Sequence, residues 1–586
     1  MLRTAYQTRI VFLGIFLAVG FILLVGRLRV VQIDRHHELI AKAKKKYTSS
    51  VKSVGIRGNI YDGTRNPGPN LLASSKVTYD ILAEPGHMGS RKEEVLNKIT
   101  RVLTKTNRHV LKDRFGSGKK EVVIQRNVEH GEITRIQQMK LPGLRYVESS
   151  VRFYPKDSLL SHVLGYTDYD GSGASGIERT MNEELQPQEG YLLFERSRRA
   201  HKVSTLDEQL ALDGKDIHLT VLEPIQSIVE DEMDRLMEEV NPKACYAIMA
   251  NPKTGAIMAL AQRPNFNPND RKTMKPENFR SRFLGDVFDP GSTMKAVSLA
   301  GVLEYNKNIT LGTEKFCENG YWFYGGHPLR DAGHSYRNLK FWEVIQKSSN
   351  IGTAKFALTV KRHQYSIYKD FGFGQRTGIN LGVESRGILP PERNWSEVSY
   401  TRLPIGQGIS VTPLQMIQAY CALANGGRMM QLHIVDKIYD PLTDKSKYTR
   451  PWIKDNSVVS PEVAAEMVEA LKSVTKKGGT AVQAAVPGFE VAGKTGTAQK
   501  FIDPKRDENG KIIEKGYYSD RDHVSSFIGF VPADKPEFVL YVVCDEPPYA
   551  YRYGGKCAAP YFRRIAEQTL NFLNVQPDLS DKVGSR

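Results

Sequence analysis

The chain has 586 residues, of which 40% are hydrophobic, 25% charged and 9% aromatic. This composition is that of a folded protein with room for about three or four domains, and it excludes disordered, collagen-like and repeat-array proteins. The five cysteines are too few and too scattered for a disulfide scaffold. None has CxxC spacing, which argues against a zinc site built on cysteines.

The positive charge of the chain is concentrated near its N-terminus. The formal net charge is +17, and residues 1–60 contribute +9 of it through eleven Lys and Arg against two Asp and Glu. A nucleic-acid-binding groove would need its charge on a folded surface, whereas this distribution is typical of a segment next to a membrane. The charge therefore argues against a nucleic-acid partner.

A single apolar segment lies among these charges. Ile10–Gly26 is a run of seventeen uncharged residues with arginines on both sides. A helix of this length spans roughly 25 Å, the short end of what a bilayer core requires. A cleaved signal peptide is the alternative, but its small-x-small tripeptide, Ala18–Gly20, lies inside the run rather than after it. We predict a retained anchor over 10–28 that crosses once, and the flanking charges leave its orientation open.

Residues 51–222 are predicted to form an α+β region. Short β-rich runs such as Val122–Ile124 alternate with helical stretches such as Arg91–Leu103, and turns rich in proline and glycine separate them. This region shows no obvious chemical site. The pattern then changes, which places a domain boundary at about residue 225.

The second half of the chain predicts an antiparallel sheet with a helical insertion of more than two hundred residues. A strand, a helix and a hairpin precede the insertion, and three strands follow it. The predicted elements are Ile217–Val221, Pro224–Val240, Cys245–Ala250 with Ala256–Ala261, and then Phe489–Ala492, His523–Phe530 and Phe538–Cys544.

The segment Asp289–Lys295 carries the first candidate for chemistry, and it opens a predicted amphipathic helix over Ala296–Leu303. Ser292 and Lys295 are three residues apart and would share one helix face. A neutral lysine can take the serine proton, and burial beside a second cation would lower the lysine pKa toward that role. The same SxxK spacing recurs at Ser49/Lys52, Ser117/Lys120, Ser366/Lys369 and Ser473/Lys476, which we interpret as surface or helix-capping residues.

Two further motifs strengthen this candidate. Ser348–Asn350 begins 56 residues after Ser292, and Lys494–Thr497 begins 144 residues after Asn350, following the predicted small-residue strand Val491–Gly493. The order SxxK, SxN, KTG is the signature of serine acyltransferases that act on D-alanyl peptides and β-lactams. A second Lys-Thr-Gly, Lys253–Gly255, precedes the serine in a predicted hairpin turn, so we interpret it as structural.

With these motifs the chain resembles the class B penicillin-binding proteins, the bitopic D,D-transpeptidases of peptidoglycan synthesis, over nearly its whole length. Further matching segments are Arg57–Asp62, Arg152–Pro155, His162–Gly165, Gly176–Glu178, Asn251–Gly255, Pro264–Asn269, Gly406–Gly408 and Val411–Pro413. The resemblance implies an α+β protein with a single N-terminal transmembrane helix, an extended α+β pedestal and a transpeptidase domain whose antiparallel sheet is flanked by helices.

The resemblance also implies a domain organisation and an orientation. Residues 1–9 would be a cytoplasmic tail, 10–28 the anchor, 29–224 the noncatalytic pedestal, 225–575 the transpeptidase domain and 576–586 a C-terminal tail. The body of the protein would lie outside the cytoplasm, on the periplasmic side of the cell membrane.

Within this family the chain is most similar to the division-specific, septal subgroup. This similarity rests on Asp286–Ser292, Gln346–Asn350 and Val531–Gly555. The elongation-specific subgroup, which is the alternative, commonly has aspartate where this chain has Asn350. Two features depart from the family pattern: Asp289 stands where glutamate is usual, and residues 63–71 form a Pro/Gly-rich insert.

The mechanism implied by the resemblance is a two-step acyl transfer. Ser292 would be the nucleophile, Lys295 its base in acylation, and Ser348 the relay that carries a proton to the leaving amine. The substrate would be bound by Asn350, Lys494, Thr495, Gly496 and Thr497, with the N–H groups of Ser292 and Thr497 forming the oxyanion hole.

The partners implied are peptidoglycan stem peptides, β-lactams, the membrane, a SEDS-type glycan polymerase and other division proteins, with no metal or organic cofactor. Two alternatives remain open at this point: a D,D-carboxypeptidase or β-lactamase with the same motifs, and a mainly scaffolding division protein. His523, near the last strands, is interpreted as structural rather than catalytic.

Overall fold

The computed structural model describes residues 2–53, 55–104, 106–196, 202–455, 457–502, 504–507 and 512–577. The chain forms two compact units. One contains the residues up to Ile56 together with Pro187–Asp213, and the other contains Arg57–Gln186 and the chain from Gly214 onward.

The first unit consists of helices and a small sheet. Its long N-terminal helix, Leu2–Arg29, continues through the π-helical turn Val30–Asp34 and is followed by the helix His36–Tyr47. The stretch Gln7–Asp34 is long and apolar enough to cross a bilayer, and its large apolar side chains are exposed. Three antiparallel strands complete the unit, in the spatial order Thr48–Ser53, Gly190–Arg196, Lys202–Gln209.

The second unit begins with a seven-stranded sheet. Its strands follow the spatial order Lys445–Tyr448, Val435–Asp440, Asp216–Leu219, Ile60–Tyr61, Leu71–Ala83 and Val122–Val128, and Leu144–Phe153 also pairs with Leu71–Ala83. The helices of this part are Pro85–Met88, Lys92–Val102, Arg108–Gly116, His130–Gln138, Ser161–Leu164, Gly176–Thr180 and Asn182–Leu185. The predicted α+β character of this region is confirmed.

A small core of its own holds the outer part of this region together. The helix Lys92–Val102 buries Val95, Leu96 and Ile99 on one face. These side chains belong to a cluster that includes Val122 and Ile124 of the neighbouring strand. The apolar spacing of the helix therefore explains both its formation and the sheet face that it covers.

A buried ion cluster ties the start of this unit to its later segments. The Glu178 carboxylate, fully buried, accepts hydrogen bonds from Arg57 Nε at 2.7 Å and from Arg152 Nε at 2.6 Å. The Tyr154 hydroxyl lies 3.4 Å from the same carboxylate. One carboxylate thus neutralises two buried guanidinium groups, an arrangement that is costly to break from either side.

The part of the second unit that contains the three sequence motifs is built on a five-stranded antiparallel sheet. We label its strands β1 (Ala244–Ala250), β2 (Ile257–Arg263), β3 (Ala492–Ile502), β4 (Tyr517–Val531) and β5 (Phe538–Asp545). Their spatial order is β2-β1-β5-β4-β3, so β3 is an edge strand. The helix α1 (Glu223–Val240) packs on β1 and β2 and against the C-terminal helix Ala559–Phe572.

The predicted strand over Phe489–Ala492 is wrong in its bounds. The strand begins at Ala492 and contains the Lys494–Thr497 motif itself, because residues 492–499 pair in register with β4, from Ala492 opposite Phe530 to Gln499 opposite His523. The predicted hairpin and the other two late strands are confirmed, although β4 begins at Tyr517, six residues before the predicted His523.

The segment between β2 and β3 is largely helical, as predicted. Its helices, with those after β5, are Pro276–Phe279, Arg282–Gly285, Met294–Tyr305, Phe341–Lys347, Asn350–Ala357, Gln364–Asp370, Ser399–Arg402, Pro413–Ala424, Pro461–Lys472 and Gly554–Cys557. The remaining short strands are Glu314–Phe316, Tyr321–Tyr324, His327–Arg330, Asn338–Lys340, Met429–Met430, Ile453–Asp455, Lys505–Arg506 and Ile512–Glu514.

The helix Met294–Tyr305, which we label α2, differs from its prediction as an amphipathic element. Every residue from Met294 to Leu303 is buried. Other helices of the insertion pack around it, so that no face is left for solvent. The polar groups Lys295 and Ser298 are consequently inside the protein, where Ser298 pairs with the Tyr368 hydroxyl at 3.2 Å.

Replacing Glu178 with Gln should destabilise the protein by about 3–5 kcal/mol, because two buried guanidinium groups would lose their counter-charge. Glu183→Gln, an exposed carboxylate on the next short helix, is the matched control and should change stability by less than about 0.5 kcal/mol. Thermal unfolding of the purified full chain in detergent measures both. Equal melting temperatures for the two variants would contradict this role of Glu178.

Candidate active site

Ser292 lies in a single 3₁₀ turn, Gly291–Thr293, that leads directly into α2. Gly291 has a φ of +54°, and a β-carbon at this position would lie 2.9 Å from Thr497 O. The left-handed backbone and the close approach to β3 both favour glycine. The helix start predicted after Pro290-Gly291 is confirmed, with the serine placed in the turn that precedes it.

Lys295 lies in the first turn of α2 and is fully buried. Its Nζ donates to Ser348 O at 2.5 Å, to Asn350 Oδ1 at 2.7 Å and to Ser348 Oγ at 3.2 Å. Burial lowers the pKa of Lys295 to about 7, while the charge of Asp331 acts in the raising direction. A substantial fraction of this amine is therefore uncharged at neutral pH and can accept a proton.

Ser348 connects Ser292 to both lysines of the site. Its hydroxyl donates to Ser292 Oγ at 3.0 Å and accepts from Lys494 Nζ at 2.9 Å as well as from Lys295 Nζ. Ser348 follows the helix α3 (Phe341–Lys347) in the left-handed region, with φ +58° and ψ +39°. A non-glycine residue pays on the order of 1 kcal/mol for this conformation, so the surrounding contacts must hold it.

Lys494 is the second fully buried amine of the site and belongs to β3. Its Nζ donates to the Ser348 hydroxyl and lies 3.3 Å from Thr495 O. Burial, and then the positive charge of Lys295, lower the pKa of Lys494 well below its usual value. Two buried amines on one hydroxyl titrate as a pair, and the state with both protonated is disfavoured.

The rest of the Lys-Thr-Gly-Thr motif continues along the edge strand. Thr495 Oγ1 lies 2.9 Å from Thr480 Oγ1, and Thr497 Oγ1 accepts a bond from Gly554 N at 3.4 Å. A β-carbon at Gly496 would lie 2.3 Å from Ser526 Oγ. Glycine is thus required for the close packing of β3 on β4 at this point.

A cavity of about 660 Å³ opens over these residues. Of the predicted site residues, it is lined by Ser292, Ser348, Asn350, Thr495 and Thr497. Lys295 and Lys494 do not line it but reach it through the Ser348 hydroxyl, and Gly496 lies between two lining residues. The fold therefore brings the three sequence motifs to one cavity, where Ser348 joins the Ser292 hydroxyl to two amines of lowered pKa.

Asp331 is a residue of this site that the sequence motifs do not mark. It is buried beside the cavity, where Oδ1 accepts from Asn350 N at 2.6 Å and from Ile351 N at 3.1 Å, and Oδ2 accepts from Ser349 Oγ at 2.9 Å. These donors are at the start of the helix α4 (Asn350–Ala357), so the carboxylate holds the Ser-Ser-Asn segment in place. It lies 19 residues before Asn350 with no motif spacing to reveal it.

The other matches to the motifs lie elsewhere in the fold. The hydroxyls of Ser117, Ser366 and Ser473 each bond a backbone oxygen three residues earlier, as in helix ends, and the Ser49/Lys52 side chains lie outside the described residues. Lys253–Gly255 forms the turn between β1 and β2, as predicted. His523 lies in β4 with Nδ1 2.9 Å from Arg521 O and does not line the cavity.

The described part of the chain contains no group of three or more His, Cys, Asp or Glu placed to hold a metal ion. All five cysteines are buried, and none forms a disulfide.

Two family models match the chain. Residues 245–567 match the penicillin binding protein transpeptidase domain, and residues 52–219 match the penicillin-binding protein dimerisation domain. The chain belongs to the class B penicillin-binding proteins. The first match contains the whole cavity and its three motifs, and the second contains the buried Glu178 cluster.

Curated relatives match this class B protein over nearly their full length. The Stage V sporulation protein D of Bacillus subtilis is 32% identical over 97% of this chain and 86% of its own. The probable peptidoglycan D,D-transpeptidase PenA of Neisseria gonorrhoeae is 30% identical over 97% and 93%. The peptidoglycan D,D-transpeptidase FtsI of Escherichia coli is 28% identical over 96% and 91%.

Solved structures share the fold. Penicillin binding protein 2X from Streptococcus thermophilus superimposes with a TM-score of 0.73 at 22% identity, covering 89% of this chain and 80% of that one. Penicillin binding protein 3 from Mycobacterium tuberculosis, in complex with aztreonam, has a TM-score of 0.67 at 25% identity, covering 90% and 98%. The predicted architecture, with its antiparallel sheet, flanking helices and helical insertion, is thereby confirmed.

The rate at which a penicillin acylates the native protein should rise as the pH passes through about 7 and level off above it, because Lys295 must be uncharged to accept a proton. Rapid-mixing measurements with a fluorescent penicillin between pH 5 and 9 would record this profile (about four pH units, enough to show both limbs around one pKa). A rate that is flat or that falls across this range would contradict the assignment of the base.

Replacing Asp331 with Asn should move the rising limb of that profile to lower pH, because the charge of Asp331 raises the pKa of Lys295. The plateau rate should also fall on the order of tenfold, since a neutral amide binds the backbone donors of α4 less strongly. Asp113→Asn, on an exposed helix of the dimerisation domain, is the control and should leave the profile unchanged. If the rate of Asp331→Asn rises over the same pH range as that of the native protein, Asp331 does not tune the pKa of Lys295 and has only a structural role.

Proposed function

We propose that this protein is a peptidoglycan D,D-transpeptidase that cross-links stem peptides through an acyl-enzyme on Ser292. The observation that carries the proposal is the Ser348 hydroxyl, which contacts the nucleophile and both buried lysines at 2.9–3.2 Å in one cavity. The transpeptidase-domain match and the relatives named as D,D-transpeptidases support it.

In the acylation step, Ser292 Oγ attacks the carbonyl of the penultimate D-alanine of a donor stem peptide. The Ser292 proton passes to the amine of Lys295, through the Ser348 hydroxyl that joins the two in the structure. The C–N bond then breaks, and the terminal D-alanine leaves with a proton returned through Ser348.

The substrate is held by groups along the cavity wall. The Asn350 side chain, fixed by Lys295 and by Arg330 O at 2.8 Å, binds the peptide amide. The hydroxyl of Thr495 binds the terminal carboxylate, to which the buried amine of Lys494 contributes nearby positive charge. The N–H groups of Ser292 and Thr497 bind the oxyanion. Gly496 keeps the strand between them close to the sheet. A β-lactam would enter by the same contacts and acylate Ser292.

In the second step, the amine of a neighbouring stem peptide attacks the ester. A C–N bond forms, the bond from the carbonyl carbon to Ser292 Oγ breaks, and Ser292 recovers its proton through Ser348 and Lys295. Transfer to an amine, rather than to water, distinguishes a transpeptidase from a D,D-carboxypeptidase or a β-lactamase.

We further propose that the protein acts in septal wall synthesis, with residues 1–9 in the cytoplasm, 10–28 in the membrane and both folded domains, over 29–224 and 225–575, outside it. The apolar helix supports a single-pass anchor. The relative named FtsI, together with the septal-type motifs, supports the division role, and another relative is named for sporulation. A SEDS-type glycan polymerase is the partner we expect beside the anchor and pedestal.

Ser292→Ala should abolish covalent labelling of the purified full chain by a fluorescent penicillin. Among the described residues that line the cavity, Ser292 is the one whose hydroxyl oxygen accepts a hydrogen bond from the Ser348 hydroxyl. Ser366→Ala, in another SxxK pair whose serine does not line the cavity, is the matched control and should label like the native chain. Gel fluorescence after denaturation measures both.

The same labelling separates the alternatives. Stable label on the native chain supports a transferase, whereas label lost within seconds would indicate a β-lactamase. A folded native chain that takes no label would contradict catalysis and leave the scaffolding function.

A further inference from the structure

Two carboxylates line the described part of the cavity, Asp289 and Asp331, and they differ in their hydrogen-bond partners. Both oxygens of Asp331 are taken by the hydroxyl and backbone donors at the start of α4. Asp289, three residues before the nucleophile, takes no part in the acylation steps described above. Binding and acylation by the donor substrate therefore do not account for a carboxylate at this position in the cavity.

Asp289 is held by neutral groups. Its Oδ2 accepts from the Tyr518 hydroxyl at 2.8 Å and from Gly408 N at 3.1 Å, and the Ser410 hydroxyl also interacts with it. Among the residues that the structure describes, the groups that interact with Asp289 are Tyr518, Gly408 and Ser410, and none of them is a lysine or an arginine. These contacts orient the carboxylate while leaving its negative charge without a cationic partner.

A partly buried carboxylate without a counter-charge favours a cation or a proton. Burial raises the pKa of Asp289, which makes it a better proton acceptor than an exposed carboxylate. The lysines at the cavity have other partners among the described residues. Lys295 and Lys494 contact Ser348 and Asn350, and Lys347 Nζ donates to Gly478 O at 2.9 Å. The charge that Asp289 can accommodate must therefore come from a ligand in the cavity.

We propose that Asp289, oriented by Tyr518, binds the primary ammonium group of the acceptor stem peptide and takes a proton from it. This inference rests on the proposed function and names the residue that selects the second substrate. The acceptor is defined by its chemistry: an amine that carries a positive charge at neutral pH.

The step balances as follows. The ammonium R–NH₃⁺ gives one proton to the Asp289 carboxylate and becomes R–NH₂, whose lone pair attacks the ester carbon of acyl-Ser292. The new C–N bond forms as the C–Oγ bond breaks, and the nitrogen loses a second proton to Ser292 Oγ through Ser348 and Lys295. Asp289 then releases its proton to water, which restores the starting site.

The test is the partition of the acyl-enzyme between an amine and water in the purified full chain. A D-alanyl thioester serves as donor, and two acceptors are compared at neutral pH: Nα-acetyl-lysine amide, whose side chain is an ammonium, and hydroxylamine, which is uncharged. Asp289→Asn should lower transfer to the lysine derivative at least about tenfold, equivalent to about 1.4 kcal/mol, while transfer to hydroxylamine stays unchanged.

Matched variants sharpen this result. Asp520→Asn removes the same charge from an exposed position on β4, where the carboxylate accepts from Gln499 Nε2 at 3.0 Å, and should leave both transfers unchanged. Asp289→Glu should restore transfer to the lysine derivative in part. If Asp289→Asn does not fold, Asp289→Ser replaces it.

Acylation by a fluorescent penicillin, measured in parallel, distinguishes an effect on the acylation of Ser292 from an effect on transfer to the acceptor amine. Native labelling, with Asp289→Asn labelled at the native rate, shows that any loss lies in the transfer step. The inference is overturned if Asp289→Asn transfers to both acceptors normally, loses both equally, or is acylated much more slowly. Failure of the native chain to be labelled would contradict the proposed function itself.

Discussion

Two buried amines donate hydrogen bonds to one serine hydroxyl. Burying two amines side by side is energetically costly, and the rest of the site is arranged to offset that cost. Lys295 and Lys494 have no exposed surface, and both donate to Ser348 Oγ. An interior of this kind disfavours two charges of the same sign, so the pair gives up a proton more readily than exposed lysines do. The cost of burying them is offset only because hydroxyl, carbonyl and amide oxygens receive their hydrogens.

The surrounding fold supplies these acceptors with little freedom to move. Ser348 occupies a left-handed conformation between α3 and α4, and the Asp331 carboxylate fixes the start of α4 by three hydrogen bonds. On the other side, Lys494 is carried by a strand whose register with β4 is set over many residues. The hydroxyl therefore meets both amines because a helix junction and a sheet edge are each held independently.

Local pattern and motif order allowed the sequence to predict the α+β class, the antiparallel sheet with its helical insertion, and the motifs that meet in the cavity. The residues at which strands and helices begin and end were harder to predict from the sequence. The strand carrying Lys494 was placed too early, because its extent is decided by pairing with β4 rather than by its own composition. Helix α2 was expected to have a polar face, but tertiary packing buries all of it from Met294 to Leu303.

Asp331 was invisible for a related reason. Two of its three hydrogen-bond partners are backbone N–H groups about twenty residues away, and a bond to the backbone leaves no side-chain pattern for a spacing rule to detect. The contacts of Ser348 with Ser292 and both lysines likewise depend on a left-handed backbone conformation that the residue type does not predict. The order of the motifs thus identified which residues belong together, while the hydrogen bonds between them required coordinates.

The complete burial of α2 has a consequence for how this protein can change over evolutionary time. Shortening a side chain in a packed helix commonly costs about 2–5 kcal/mol, and enlarging one costs about 1–3 kcal/mol, against a total stability of roughly 5–15 kcal/mol. Helix α2, which follows Ser292, therefore tolerates few substitutions. Heritable variation in which peptides or drugs are accepted must accumulate instead in the loops and strand ends that form the rim of the cavity, where side chains can differ without disturbing the core.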